Sequence, residues 1–147
     1  MVTIGGVSCG PVTISDSTSS GWVSVVNGPL TLRFWWSIPA ELRHDKNQIS
    51  SPKRIYIVLP EVFGVNAWVR SVADRLAAQG IPALAVPLFA RTAPELELGY
   101  ETSDLAQGRA HKDATTAQQI LSDVSAAVAW LQQRCPRAAI DLSLIHI

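Results

Sequence analysis

A carboxylate, Glu61, directly follows an apolar run in the stretch LPEVFGVNAWVR, residues 59–70. The run, Ile55 to Leu59, is rich in β-branched residues and is typical of a strand covered on both faces in a parallel sheet. Ligands of open α/β sheets bind beyond the carboxyl ends of the strands, which is where Glu61 would lie. Because Val62 and Phe63 would partly desolvate this carboxylate, its position indicates a functional site.

The residues alone leave a structural interpretation of Glu61 equally open. Its side chain could accept hydrogen bonds from backbone N–H groups of the turn, or it could pair with Arg70 on the following helix. The two cysteines, Cys9 and Cys135, lie far apart and in no metal-ligand spacing. We interpret them as two reduced thiols of a cytosolic protein.

The elements next to Glu61 follow from hydrophobic periodicity. Asn66 can cap a helix whose apolar positions recur at i, i+3, i+4 and i+7, and Gly80 supplies its end. A second buried run follows at Ile81 to Val86. Residues 54–86 therefore predict a strand, a helix and a parallel strand, with short connections. The apolar helix positions are Val69, Val72, Ala73 and Leu76.

The flanking segments add strands and one more helix. Residues 1–38 are β-rich, and Trp22 to Val26 and Leu30 to Trp36 predict a hairpin joined by Asn-Gly-Pro, with Trp35 and Trp36 on opposite faces. Residues 40–53 and Pro87 to Gly108 are expected to be connections. A helix is predicted from about Thr115 to Arg134, with Thr-x-x-Gln spacing at its start, and a third parallel strand from near Ala138. The expected apolar face of this predicted helix consists of Ile120, Leu121, Val124, Val128 and Leu131.

Composition restricts the class of protein. The chain has 147 residues, enough for one domain with a real core, and 48% of them are hydrophobic. Lys plus Arg and Asp plus Glu balance at 12 each, so the broad basic field used in sequence-independent nucleic-acid binding is missing. The start, MVTIGGVSCGPV, lacks the features of a secretory signal, and no apolar run could span a bilayer. We expect a cytoplasmic protein that binds neither nucleic acid nor a membrane, and the sequence carries no signal for an oligomeric state.

Residues 59–91, LPEVFGVNAWVRSVADRLAAQGIPALAVPLFAR, resemble the core signature of the dienelactone hydrolase family, a branch of the α/β hydrolases. The resemblance rests on the order and spacing of Glu61, Phe63, Gly64, Asn66, Arg70, Gly80 and the segment Leu88-Phe89-Ala90-Arg91. It extends more weakly through residues 54–141, about the first half of a family member. It implies an α/β fold with a three-layer, α/β-hydrolase-type sheet that is incomplete here, since no helix follows the last strand.

The resemblance also implies roles for individual residues. Glu61 matches the carboxylate that helps to activate the family's nucleophile, and Val62 would donate its backbone N–H to the oxyanion hole. Arg91 matches an arginine that binds a carboxylate of the substrate, with Phe63 and Phe89 as further substrate contacts. For Arg91 an ion pair with Glu95 is the structural alternative. The family's chemistry needs no metal and no cofactor.

The chain departs from the family pattern in three places. Val86 and Pro87 stand where the family has Pro-Asp, and Phe89 replaces a common Tyr. The family's nucleophile lies in a Gly-x-Cys-x-Gly elbow, or its Ser counterpart, directly after the strand that here begins near Ala138, and no such elbow follows that strand. Residues 142–147, LSLIHI, resemble a translated sequencing-adapter tail, so we expect one partial domain over 1–147 with an artefactual end.

The sequence therefore indicates part of a dienelactone hydrolase-like enzyme that cleaves carboxylic esters or lactones through an acyl-enzyme. Its partner would be a small ester or lactone that carries a carboxylate, and the 147 residues alone would be inactive. A different class remains as the alternative, namely a non-catalytic module that keeps the α/β sheet and binds a small molecule or a protein.

Overall fold

The computed structural model describes residues 8–14, 18–44, 48–49 and 52–144. The strands are β1 Ser8–Ile14, β2 Thr18–Asn27, β3 Leu30–Pro39, β4 Arg43–His44, β5 Gln48–Ile49, β6 Arg54–Leu59, β7 Ala83–Ala85 and β8 Ala139–Leu144. The helices are α1 Ala67–Ala78, α2 Thr102–Asp113 and α3 Ala117–Arg134, and a 3₁₀ turn spans Ala40–Leu42.

Six of these strands form one mixed sheet in the order β1-β2-β3-β7-β6-β8. Strands β1, β2, β3 and β7 pair antiparallel, whereas β6 runs parallel to both β7 and β8. Strands β4 and β5 form a separate antiparallel pair within the stretch expected to be a connection. The predicted hairpin, the strand-helix-strand unit and the strand near Ala138 are all confirmed.

The sheet is the middle layer of three. One face packs against α1 through residues that include Val58, Ala83 and Ala85, and the other packs against α3 through residues that include Ile57 and Leu84. Adjacent residues of a strand point to opposite faces, which explains the alternation. The same rule separates the paired tryptophans as predicted: Trp36 is buried with α3, and Trp35 packs on the α1 side.

Helix α1 begins and ends where the sequence predicts. The side chain of Asn66 accepts a hydrogen bond from the Val69 N–H at 3.1 Å, which is a regular N-cap. Gly80 lies just past the helix with φ +94°, a conformation that glycine adopts without strain. The helix thus holds a fixed position relative to the turn between β6 and its first residue.

The expectation of a connection over the whole stretch from Pro87 to Gly108 is wrong, because α2 covers its end. Among its residues only Gly108 is buried, so the helix has no apolar face for hydrophobic periodicity to detect. Its sequence signal is a cap: the side chain of Asp104 accepts a hydrogen bond from the Glu101 N–H at 3.1 Å. The second predicted helix is therefore the third helix of the fold.

Helix α3 starts with the predicted Thr-x-x-Gln cap, in which Thr116 and Gln119 bond reciprocally to each other's backbone. Its buried face agrees with the expected one at Leu131 and Val128 and differs at Leu121. Leu121 is 65% exposed, and the buried positions are Asp123, Ala127, Trp130 and Leu131. Leu121 lies about 200° around the helix from Asp123, because each residue turns the helix by about 100°.

Candidate active site

The turn after β6 carries Glu61, Val62 and Phe63 at the carboxyl end of a strand that is paired on both sides, and all three are half-buried. Gly64 closes the turn with φ +78°. A Cβ at this position would lie 2.1 Å from the carbonyl oxygen of Leu96, so only glycine fits. The backbone of the turn is therefore set by direct contact with the segment that follows β7.

That segment, residues 94–100, clamps the turn and the start of α1 together. The Leu98 N–H donates to the Phe63 carbonyl at 2.9 Å, and the Phe63 and Tyr100 rings meet edge to face at 4.8 Å. The Asn66 amide donates to the Leu98 carbonyl at 2.8 Å and to the Tyr100 hydroxyl at 3.0 Å. Because Asn66 is also the N-cap of α1, one buried side chain fixes three elements.

Helix α2 holds the turn from another side. A Cβ on Gly108 would lie 2.3 Å from the Val62 carbonyl oxygen, so the helix backbone lies directly against this residue. In the part of the chain that the structure describes, no backbone carbonyl accepts a hydrogen bond from the Val62 N–H. The Val62 N–H thus has no main-chain acceptor within the described residues.

Arg70, the cation considered as a structural partner of Glu61, has other contacts. Its guanidinium donates to the Val65 carbonyl at 2.9 Å and forms an ion pair with Glu97. It also lies 5.3 Å from the centre of the Trp22 ring. Arg70 thus ties the start of α1 to the 94–100 segment and to the sheet.

Arg91 lies after β7, in a turn in which the Phe89 carbonyl accepts hydrogen bonds from the N–H groups of Thr92 and Ala93. Phe89 itself is buried. The Arg91 guanidinium pairs with Asp123 at 3.1 Å, and the Arg91 side chain as a whole remains partly exposed. The alternative pair with Glu95 does not form, because Glu95 pairs with Arg33 at 2.6 Å.

Asp123 was not among the candidates from the sequence. It lies on the predicted α3 between apolar positions, and an isolated Asp among apolar residues is the sequence feature that could have indicated a buried carboxylate. The structure buries it almost completely, with 1% of its surface exposed. Its Oδ1 accepts hydrogen bonds from Arg91 Nη2 at 3.1 Å and from Asn27 Nδ2 at 2.8 Å.

Ser8 and Cys135 lie apart from this turn. Gly-x-Ser-x-Gly spacing occurs at residues 6–10, GVSCG, but Ser8 begins the edge strand β1 and pairs with Ser24 of β2. Four strand spacings of about 4.8 Å put β1 roughly 19 Å from β6. Cys135 is buried at the end of α3, and burial raises the pKa of its thiol, partly opposed by the charge of Arg134. Neither position is a strand-to-helix elbow.

Two further properties concern the described ranges 8–14, 18–44, 48–49 and 52–144. Within them, no group of three His, Cys, Asp or Glu side chains is arranged to bind a metal ion. None of the helices there combines the length and the apolar character required to cross a bilayer.

A central parallel strand followed by a rigid turn and a helix, with antiparallel strands on one side, defines an α/β hydrolase-type fold. The chain belongs to the dienelactone hydrolase family, whose model matches residues 38–140. This confirms the family inferred from residues 59–91 and the predicted class of fold.

Individual relatives agree with this assignment. A "Putative carboxymethylenebutenolidase" of Synechocystis sp. is 41% identical over 78 residues, which are 53% of this chain and 32% of that protein. The crystal structure of a "Putative Dienelactone Hydrolase" from Klebsiella pneumoniae superposes with a TM-score of 0.64 at 21% identity, over 86% of this chain and 50% of that one. A cold-adapted esterase from an Arctic intertidal metagenomic library gives 0.53 at 18% identity, over 91% and 54%. The chain thus spans about a third to a half of the length of these relatives.

Proposed function

We propose that the chain is the part of a carboxylic ester or lactone hydrolase that contributes the turn after β6 to an acyl-enzyme mechanism. The observation that carries this proposal is the position of Glu61 and Val62 in a turn held between the 94–100 segment and α2. Membership of the dienelactone hydrolase family supports the class of reaction. Preorganised groups of this kind contribute most where charge develops in the transition state.

In this mechanism a thiolate or alkoxide attacks the substrate carbonyl, and the Val62 N–H stabilises the tetrahedral oxyanion. Collapse of the intermediate expels the alcohol and leaves an acyl-enzyme, which water hydrolyses to the acid. Glu61 would act as the carboxylate that activates the nucleophile. Because the chain holds no elbow after β8, we expect the 147 residues alone to show no nucleophile-dependent turnover.

Arg91 would bind a carboxylate of the substrate through the exposed part of its guanidinium. The Arg91 side chain is 27% exposed, so it can contact a ligand while it stays paired with Asp123. Phe63 and Phe89 would shape the adjacent surface, Phe63 by direct contact and the buried Phe89 by holding the turn that carries Arg91. A small ester or lactone with a free carboxylate is the substrate class that fits. A cytoplasmic location agrees with such a substrate.

The test is the hydrolysis of p-nitrophenyl acetate by the complete product of the source gene and by two substitutions at one residue. Val62→Pro removes the N–H, whereas Val62→Ala keeps it, so we expect kcat to fall about 10²-fold to 10³-fold in the first and to change little in the second. Equal activity of the two variants would contradict the oxyanion role.

The Glu61 role is tested in the same assay. Glu61→Gln keeps the size of the side chain and removes its charge, and we expect kcat to fall about 10²-fold or more, as for the loss of a general base. Glu95→Gln, on the exposed end of the 94–100 segment, serves as the control and should keep full activity. A binding module without catalysis, the other class considered, would show no turnover in the complete gene product.

A further inference from the structure

A buried ion pair joins three elements at the edge of the sheet where the candidate active site lies. Asp123 comes from α3, Arg91 from the turn after β7, and Asn27 from the end of the β2–β3 hairpin. A carboxylate with 1% exposure cannot be solvated by water, so it must be compensated by these partners. Asp123, Arg91 and Asn27 therefore form a buried polar cluster that is part of the folded structure.

The unpartnered atoms of this cluster belong to one and the same pair. Among the residues that the structure describes, Arg91 Nε and Asp123 Oδ2 are both buried and neither has a hydrogen-bond partner. One is a donor and the other an acceptor, so a direct contact between them would add a second hydrogen bond to the pair. The pair would then have the two-point geometry that arginine and carboxylate prefer.

A two-point contact with Asp123 would involve one edge of the Arg91 guanidinium and would leave its remaining N–H groups available to a ligand. Asp123 holds Nη2, Nε is buried, and the side chain as a whole keeps 27% of its surface exposed. Of the guanidinium nitrogens, Nη1 is neither bonded to Asp123 nor among the buried atoms without a partner, so it is the one left for a ligand. Asp123 lies on a helix that is anchored in the core by Ala127 and Trp130, so the free edge has a fixed direction.

We infer that Asp123 is a positioning residue, which aims Arg91 at the carboxylate of the substrate, with Asn27 fixing the Asp123 carboxylate in turn. The inference rests on the proposed function, in which Arg91 binds that carboxylate. A charged side chain held in its binding geometry loses less entropy when the ligand arrives. Asp123 thereby sets the preference of the site for anionic esters.

Charge alone makes the opposite prediction, which makes the inference testable. If Asp123 only neutralised Arg91, its removal would raise the positive potential and tighten the binding of an anion. If Asp123 positions Arg91, its removal weakens binding of the anion and leaves a neutral analogue unaffected. The sign of the change in affinity separates the two.

The experiment measures dissociation constants of monomethyl succinate and dimethyl succinate for the 147-residue chain by NMR titration. The two probes differ by one carboxylate, so their ratio reports the preference for the anion and cancels general effects on the fold. In Asp123→Asn we expect this ratio to fall about ten-fold, the effect of one charge-assisted hydrogen bond. Glu95→Gln is the control for the loss of an exposed carboxylate, since its partner Arg33 is 29% exposed and Arg91 is 27% exposed.

A second variant covers the case in which Asp123→Asn does not fold. Asn27→Ala removes one donor to Asp123 from a half-buried hairpin position and should lower the same ratio about two-fold to three-fold. An unchanged or increased preference in the folded variants, alongside a clear preference in the wild type, would refute the positioning role alone. A wild type without preference for monomethyl succinate would refute the carboxylate role of Arg91 and the positioning role with it.

Discussion

Replacing Gly64 by alanine should destabilise the fold far more than the same change at a glycine of similar backbone conformation. Gly64 has φ +78° and Gly80 has φ +94°, so both substitutions force alanine into the left-handed region. The cost of that conformation is about 1–2 kcal/mol and is shared by the two variants. They differ in their surroundings, because a Cβ at Gly80 meets nothing within 4 Å.

The extra cost at Gly64 follows from the contact with Leu96. A Cβ there would lie 2.1 Å from the Leu96 carbonyl oxygen, roughly 1.3 Å short of ordinary contact. The 94–100 segment must move away, which breaks the hydrogen bond from Leu98 to Phe63 and loosens the edge-to-face contact between the Phe63 and Tyr100 rings. At about 1 kcal/mol for each interaction, Gly64→Ala should cost about 2–3 kcal/mol more than Gly80→Ala.

Urea unfolding followed by tryptophan fluorescence measures both free energies on one scale. The five tryptophans provide the signal, and Trp36 and Trp130 pack edge to face in the core. Equal losses of stability in the two variants, within about 0.5 kcal/mol, would refute the contact between the turn and the 94–100 segment.

Three further substitutions test the hydrogen bonds of Asn66, the packing of Gly108 on Val62 and the burial of Cys135. Asn66→Ala should lower the free energy of unfolding by about 2–3 kcal/mol, because it removes a helix cap and two hydrogen bonds to the 94–100 segment. The exposed cap variant Thr116→Ala should cost about 1 kcal/mol. Equal losses of stability in urea melts would contradict the role of Asn66 in holding the 94–100 segment. Gly108→Ala should shift the Val62 amide resonance in a ¹⁵N spectrum, since the new methyl group meets the Val62 carbonyl, and an unshifted resonance would contradict that packing. The third substitution concerns Cys135 and is made in a Cys9→Ser background, so that Cys135 is the one thiol present. Burial raises the pKa of Cys135, so its thiol stays protonated in the folded state at a pH where the unfolded thiol ionises. The contribution of Cys135 to stability should therefore be constant in pH below the ordinary thiol pKa and be lost above it, and Cys135→Ala should flatten that alkaline decline in melts across pH.

Local patterns in the sequence were enough to predict the elements next to Glu61. An apolar β-branched run, a capping Asn66 and a terminating Gly80 each act within a few residues, so β6 and α1 follow from the sequence and are confirmed. The resemblance in residues 59–91 predicted the family, which the match over residues 38–140 confirms.

Features that depend on distant contacts were not predictable in this way. Helix α2 has almost no apolar face, because it covers the turn through the backbone of Gly108 and not through a hydrophobic side chain. Asp123 looked like a polar position on a helix, since its partners Asn27 and Arg91 are 96 and 32 residues away in sequence. The roles of Glu61, Val62 and Arg91 remain predictions that rest on their positions.

Sequencing the source gene through and beyond the codon for Asp141 tests whether this chain supplies the first part of an ester hydrolase site. We expect an in-frame continuation of β8 into Gly-x-Cys-x-Gly or Gly-x-Ser-x-Gly, with an Asp and a His further along. A stop codon directly after Ile147 in the genomic sequence would contradict the hydrolase and leave Glu61 in a binding surface.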